Sequence, residues 1–143
     1  MSTFDHQLKL AFANTHFTAL LPDGPILLRV GIPSTALQSH MVSINAKFAA
    51  YITAYNPYSV VVSTDDNIQA NHRLEQTLIH SHLPYWPCMG QDPEGQWPLE
   101  PGYLILGADR RWLRKVGRRF RQHALLICHQ TGRPKLLWTQ HSS

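Results

Sequence analysis

"AYITAYNPYSVVVSTDDNIQANHRLEQTLIHSH", residues 50–82, decides the fold class. Its first part, "AYITAYNP" (50–57), is rich in residues that suit a pleated strand and halts at Asn56-Pro57, a turn signal. Its last part, "TDDNIQANHRLEQTLIHSH" (64–82), changes to helical spacing, with Thr64 or Asp65 to cap it and acids in its first turn. "SVVVS" (59–63) lies between them. It reads either as a second strand, hairpinned through "NPYS", or as an irregular lead into the helix.

Downstream, "YWPCMG" (85–90) reads as a short strand whose Pro87 suggests an edge position. "GYLILG" (102–107) reads as a buried strand. "DRRWLRKVGRRFRQ" (109–122) is a helix capped by Asp109, and "HALLICHQTG" with "PKLLWT" forms a last hairpin around "TGRP". From residue 49 the order is strand, helix, strand, strand, helix, strand, with one more strand to close. That is the order of a ferredoxin-like split β-α-β core, an antiparallel sheet with two helices on one face. Another α+β topology is the rival.

Upstream, "DHQLKLAFANTHFTALL" (5–21) reads as a helix, with Leu8, Phe12 and Phe17 among its apolar positions, stopped by "LPDGP". "ILLRVG" (26–31) is a strand, and "STALQSHMVSINAKF" (34–48) a helix capped by Ser34. The expectation is one α+β domain over 1–143, with an N-terminal helical extension and strand (1–48) and a core at 49–139.

Composition narrows the function classes. Hydrophobic residues are 43% of the 143, enough for the core of one compact domain. The longest apolar runs, "YSVVV" and "YLIL", fall far short of the ~20 residues a membrane helix needs, so no membrane partner is expected. Met1 is followed by Ser, Thr, Phe and Asp rather than by a basic stretch and an apolar run. A cytoplasmic setting is the expectation, with Cys88 and Cys128 as reduced thiols. Neither a His-Glu-x-x-His pattern nor a Cys-x-x-Cys pair occurs, so no metal is expected, and no cofactor motif appears.

Three features break local rules. On the 64–82 helix, Ile68, Leu74, Leu78 and Ile79 share an arc with Asn67, Asn71 and Glu75, the polar residues at spacings of four. They either satisfy backbone groups at a sheet edge or line a pocket, with Glu75 a half-buried carboxylate. "GQDPEGQWPLE" (90–100) is a turn, yet it gathers Asp92, Glu94 and Glu100 beside Trp97. It is either a structured loop pinned by Trp97 or a ligand-facing loop in which Asp92 or Glu100 accepts a hydrogen bond or a proton. The third feature is charge. The net charge is +4, and seven of the thirteen Lys and Arg residues are Arg110, Arg111, Arg114, Lys115, Arg118, Arg119 and Arg121. They oppose Trp112, Leu113, Val116 and Phe120 on one helix, a pattern suited to nucleic acid, a nucleotide or an acidic protein.

"TAYNP" (53–57), the helix start with Asn67, Asn71 and Leu74, "GQDPEGQWPLE" (90–100) and "FRQHA" (120–124) occur in order. Together they resemble an uncharacterised bacterial family, the domain-of-unknown-function family numbered thirty-two ninety-three, over roughly residues 50–128. Asn56, Asp92, Glu100 and Gln122 fit its motifs, while Arg121 and His123 stand where smaller or neutral residues are expected. The resemblance implies no activity. It coincides with the polar features above, and one pocket gathering Asn56, Asn67, Asn71, Glu75, Asp92, Trp97, Glu100 and Gln122 is the expectation. A small cytoplasmic binding or regulatory protein follows, with a basic helix for a phosphate-bearing partner. The alternatives are a hydrolase or transferase on a nucleotide-like anion, with Glu75, Glu100 or Asp92 as base, and a module that meets an acidic protein.

Overall fold

A computed structural model describes residues 3–140 of the chain. The elements run α1 (Thr3–Asn14), β1 (His16–Leu21), β2 (Gly24–Leu28), α2 (Thr35–Ser43), β3 (Phe48–Ile52), a 3₁₀ turn (Pro57–Ser59), α3 (Thr64–Ser81), β4 (Tyr85–Gln91), β5 (Glu100–Leu106), α4 (Arg110–Arg119), β6 (Ala124–His129) and β7 (Lys135–Trp138). The fold is α+β. All seven strands join one sheet in the order β2-β1-β4-β5-β3-β6-β7, and every pairing is antiparallel.

The N-terminal segment departs from the single helix expected over 5–21. The helix ends at Asn14, where the Thr15 hydroxyl donates to the Ala11 carbonyl. "HFTALL" then runs as a strand in which Phe17, Ala19 and Leu21 are buried on alternate positions. That period of two outweighs the helical spacing of the apolar residues before it. "LPDGP", expected to stop a helix, is instead the turn of the β1–β2 hairpin, with Gly24 at φ +129. The strand expected at 26–31 is shifted to Gly24–Leu28.

The hairpin also moves β4 off the edge of the sheet. β1 pairs with β4 along Cys88–Gln91, and β5 pairs with its other side. Pro87 lies just beyond the stretch that β1 covers, which is where a residue without an N–H is tolerated. "SVVVS" makes no strand and serves as the lead into α3. The α3 cap is Ser63, one residue before the expected Thr64, and its hydroxyl accepts from the Asp66 N–H. Ser34 and Asp109 cap α2 and α4 as their side chains predict.

The sheet is buried on both faces. On one, Ala50, Ile52, Ile105, Leu125 and Ile127 pack against Leu74 and Leu78 of α3 and Leu113 and Val116 of α4. On the other, Ala49, Tyr51, Leu104, Leu106 and Leu126 pack against Leu37 and Met41 of α2, with Phe12 of α1 alongside. This explains why "AYI" and "ALLIC" are nearly continuous apolar runs, since a strand covered on both faces has no polar side. Gly102 allows the close approach of β5 to β3. A Cβ there would strike the Ile52 carbonyl oxygen and stand 2.9 Å from Tyr51 Cε1. Among the described residues, no helix is long and apolar enough to cross a membrane.

Candidate functional site

Beyond Ile52 the β3 backbone leaves its ladder, and its N–H groups need new acceptors. α3 supplies them. Asn71 Oδ1 accepts from the Ala54 N–H at 2.8 Å, and Asn67 Oδ1 accepts from the Asn56 N–H at 2.8 Å. The Thr53 hydroxyl accepts from the Tyr55 N–H between them. Asn71 Nδ2 donates to the Pro101 carbonyl at 2.8 Å, and Asn67 Nδ2 donates to Asn56 Oδ1 at 2.9 Å. Both asparagines are buried, whereas Ile68 and Ile79, expected on the same inward arc, are each 45% exposed. The inward stripe of α3 is therefore Asn67, Asn71, Leu74 and Leu78.

This arrangement fixes Asn56 in a left-handed conformation with φ +46. Its side chain accepts from the Val62 N–H at 3.3 Å and donates to Glu100 Oε2 at 3.4 Å. Glu100 begins β5 and faces a cavity of about 380 Å³. α1 roofs this cavity with Phe4, Leu8 and Phe12. Tyr51, Asn56 and Trp97 line its walls, and Gln122 and His123 line it from the segment just before β6. Burial pushes the Glu100 carboxyl from 4.5 up to about 7, and the bond from Asn56 opposes that rise only in part. Burial, then the nearby Glu100, holds the Tyr51 hydroxyl well above its ordinary value. Tyr51 thus stays neutral and donates to the Glu100 carbonyl at 2.6 Å.

The 92–98 loop is organised by Asp92. Its Oδ1 accepts from the Glu94 N–H, and its Oδ2 from the Gln96 and Trp97 N–H groups, at 2.8–3.2 Å. Both oxygens are committed to backbone, so Asp92 is a loop organiser rather than a proton acceptor for a substrate. The loop presents Trp97, 49% exposed, at the cavity rim. Gln122 spends its amide hydrogens on the Tyr55 and Phe120 carbonyls, at 3.1 and 3.3 Å.

Of the residues expected to share one pocket, Asn56, Asp92, Trp97, Glu100 and Gln122 line the cavity. Asn67 and Asn71 stand behind it as backbone partners. Glu75 is elsewhere: it is partly exposed and accepts from the Tyr85 hydroxyl at 2.9 Å, beside the Tyr85–Tyr103 ring pair. The basic helix also differs in detail from a wholly solvated cationic face. Arg114 Nε donates to the Trp138 carbonyl and Arg118 Nη1 to the Thr139 carbonyl, which ties α4 to the end of β7. Arg110 lies over the Phe48 ring and Arg119 over Phe120. Arg111, Lys115 and Arg121 are exposed. No group of three or more His, Cys, Asp or Glu among the described residues is placed to hold a metal ion.

Sequence reading passed over Tyr51, His123 and the roof. The signal for the roof was the Phe4-Leu8-Phe12 stripe at spacings of four, an apolar face without an assigned partner.

A family model described as "Protein of unknown function (DUF3293)" matches residues 52–125, and the chain belongs to that family. The match takes in Asn56, Asp92, Trp97, Glu100, Gln122 and His123, while α1 and Tyr51 lie outside it. No curated protein and no solved structure matches the chain.

Two outcomes are expected from this geometry. Asn71→Ala leaves the Ala54 N–H without its acceptor, while the Pro101 carbonyl keeps its bond from Thr53, at a cost of roughly 1–3 kcal/mol for the one unsatisfied group. Urea denaturation reads it, with Glu75→Gln as the reference that moves stability by under about 1 kcal/mol because its acceptor oxygen remains. The second outcome concerns pH. The Glu100 carboxyl is raised in the folded state, so its contribution to stability is full below about 4.5 and is lost as pH rises through about 7. Glu100→Gln should therefore flatten the pH dependence of stability between those values and stabilise the protein at pH 8 by up to about 3 kcal/mol. Equal pH profiles for the two proteins would contradict it.

Proposed function

We propose that this member of the DUF3293 family is a small ligand-binding or regulatory protein whose ligand sits under α1, with Glu100 as its polar anchor. The observation that carries the reading is the Glu100 carboxyl, held at about 7 on the wall of a cavity and met by a single long hydrogen bond. Burying a carboxyl with so little compensation destabilises a fold, and such departures concentrate where a ligand is handled. The rest of the cavity has the usual make-up of a small-molecule site, with mostly apolar walls and a few convergent polar groups. A cytoplasmic setting suits the two free, buried thiols, Cys88 and Cys128, whose burial raises both pKa values and keeps them unreactive.

The same carboxyl supports an enzyme reading, with Glu100 as general base in a hydrolase or transferase, since its pKa lies near the operating pH. Among the described residues no Lys or Arg lines the cavity, which weighs against the anionic, nucleotide-like substrate of that reading. The exposed cations of α4 support a separate surface for a phosphate-bearing partner, nucleic acid or nucleotide, with an acidic protein as the rival. The order β4-β5-β3-β6, with α3 and α4 on one face, supports a ferredoxin-like split β-α-β core for the fold.

The cavity is tested by filling it. A fragment library is screened by ligand-observed NMR against the native protein and against Leu8→Trp, which places a large ring in the roof. The expected result is a set of ligands that bind the native protein and not Leu8→Trp, while circular dichroism shows the fold intact. Ligands indifferent to Leu8→Trp would sink the proposal. For the α4 surface, oligonucleotide binding should weaken in Arg111→Gln/Lys115→Gln. The slope of log affinity against log salt should flatten by roughly 0.7 to 0.9 per lost phosphate contact. No binding at low salt removes nucleic acid as the partner.

A further inference from the structure

We infer that the cavity under α1 selects an organic cation, a protonated amine or amidine on an apolar ring-sized body, and discriminates against anions. This deepens the reading above and rests on it, since it presumes that the cavity is the ligand site.

The argument starts from which polar functions on the cavity wall remain unspent. Asn56 donates one amide hydrogen to Glu100, and its oxygen accepts from the Val62 N–H and from Asn67 Nδ2. Thr53 donates to the Pro101 carbonyl, Thr15 to Ala11, and Tyr51 to the Glu100 carbonyl. Gln122 has used its amide hydrogens, which leaves its carbonyl oxygen. Glu100 receives one bond, at 3.4 Å on Oε2, which leaves Oε1. On the half-buried wall the unspent groups of Glu100 and Gln122 are acceptors once Glu100 ionises, and a ligand that complements them brings N–H donors, while Gln7, Ser59 and Trp97 add polar atoms at the exposed rim. His123 adds a ring nitrogen that takes either role with its tautomer.

Charge points the same way. Among the described residues two carboxyl groups, Asp92 and Glu100, line the cavity, and no Lys or Arg does. Arg29 donates to the Ala13 carbonyl of α1, and Arg114 and Arg118 bond to the end of β7, so these guanidinium groups are held to backbone outside the cavity lining. An anion entering would meet carboxylates without a counter-charge, whereas an ammonium meets an acceptor that its own charge helps to ionise. The apolar walls reinforce the preference. Phe12, Phe17, Tyr51 and Trp97 present aromatic surface, and ring faces attract a desolvated cation. Phe12 and Phe17 stand 6.0 Å apart between centroids, and Phe17 and Tyr51 4.9 Å apart, so these rings form one continuous wall.

The test compares three ligands of one shape: 2-phenylethylamine, 2-phenylethanol and phenylacetate, titrated by NMR into the native protein at pH 8 and pH 5.5. At pH 8 the amine should bind at least about tenfold more tightly than the acid, with the alcohol between them. The preference should shrink at pH 5.5, where Glu100 takes up a proton. Glu100→Gln should abolish both the preference and its pH dependence. That variant is the needed reference because Asp92, Tyr51 and His123 also face the cavity and are unchanged in it. Should Glu100→Gln fail to fold, the pH dependence of the native protein decides. Phenylacetate binding as tightly as the amine, with Leu8→Trp still blocking both, would overturn the inference and leave the cavity as the ligand site. Failure of all three to bind, or binding unaffected by Leu8→Trp, would remove the ligand site itself and the inference with it.

Discussion

The pairing of Asn67 and Asn71 with the backbone of residues 54–56 is the constraint on which the site depends. Two spacings make it possible. Four residues of α-helix advance about 6 Å, and two residues of extended chain advance about 6.6 Å. Side chains at i and i+4 on α3 therefore meet N–H groups at alternate residues of the segment after β3. The match runs antiparallel, Asn71 to Ala54 and Asn67 to Asn56. The helix acts here as a short substitute for a neighbouring strand. An apolar residue at either position would bury backbone groups without partners, which explains polar residues on the core-facing stripe of α3.

From that pairing the geometry spreads outward. Asn56 is turned into its left-handed conformation, and its amide reaches across to Glu100. Asn71 and Thr53 both donate to the Pro101 carbonyl, which anchors the start of β5 next to Glu100. Gly102 follows one residue later, where a side chain would collide with β3. A close approach of β5 to β3 and a carboxyl at the mouth of the β3–β5 seam are thus two results of one local packing problem. Asp92 solves a similar problem on the other side of the cavity by collecting three N–H groups of its loop. Trp97 is consequently presented at the cavity rim from a closed, internally bonded turn.

How much of this was legible follows from how local each cause is. Helix caps at Ser34 and Asp109, the element order after residue 49 and the final hairpin follow from neighbours in sequence, and they were readable. The polar residues at 56, 67, 71, 92, 100 and 122 stood out because each breaks a local rule; Asn56, Asp92, Glu100 and Gln122 line one cavity, and Asn67 and Asn71 stand behind it. Their division of labour was not readable. Asp92 serves N–H groups of its own loop, whereas Asn67 and Asn71 serve the backbone after β3, and only the packing of α3 against that segment reveals which N–H groups need them. Glu75 carries the same spacing as the asparagines, yet one more helical turn takes it to Tyr85 and away from the cavity. The segment 5–21 misled because helical and alternating patterns adjoin there without a Gly or Pro between them. The edge assignment for "YWPCMG" failed with it, since β1 is the strand that covers β4.

The division between the two ends of the cavity has a consequence for the family. Asn56, Asp92, Trp97, Glu100 and Gln122 all fall within residues 52–125, the segment that the family model matches. Phe4, Leu8, Phe12, Phe17 and Tyr51 fall outside it. The polar end is tied into α3 and β5 by hydrogen bonds between buried groups, so a change there disturbs the sheet as well as the cavity. The apolar end joins Phe17 and Tyr51, buried in the sheet, to α1, a helix with no fully buried residue that rests on the sheet through partly buried side chains. Substitutions along Phe4, Leu8 and Phe12 alter the size and shape of the cavity at small cost to the core, because their surroundings are already part solvent. Physical chemistry thus separates two parts of the cavity along the chain: the matched segment supplies its hydrogen-bonded polar end, and the N-terminal helix supplies its apolar roof.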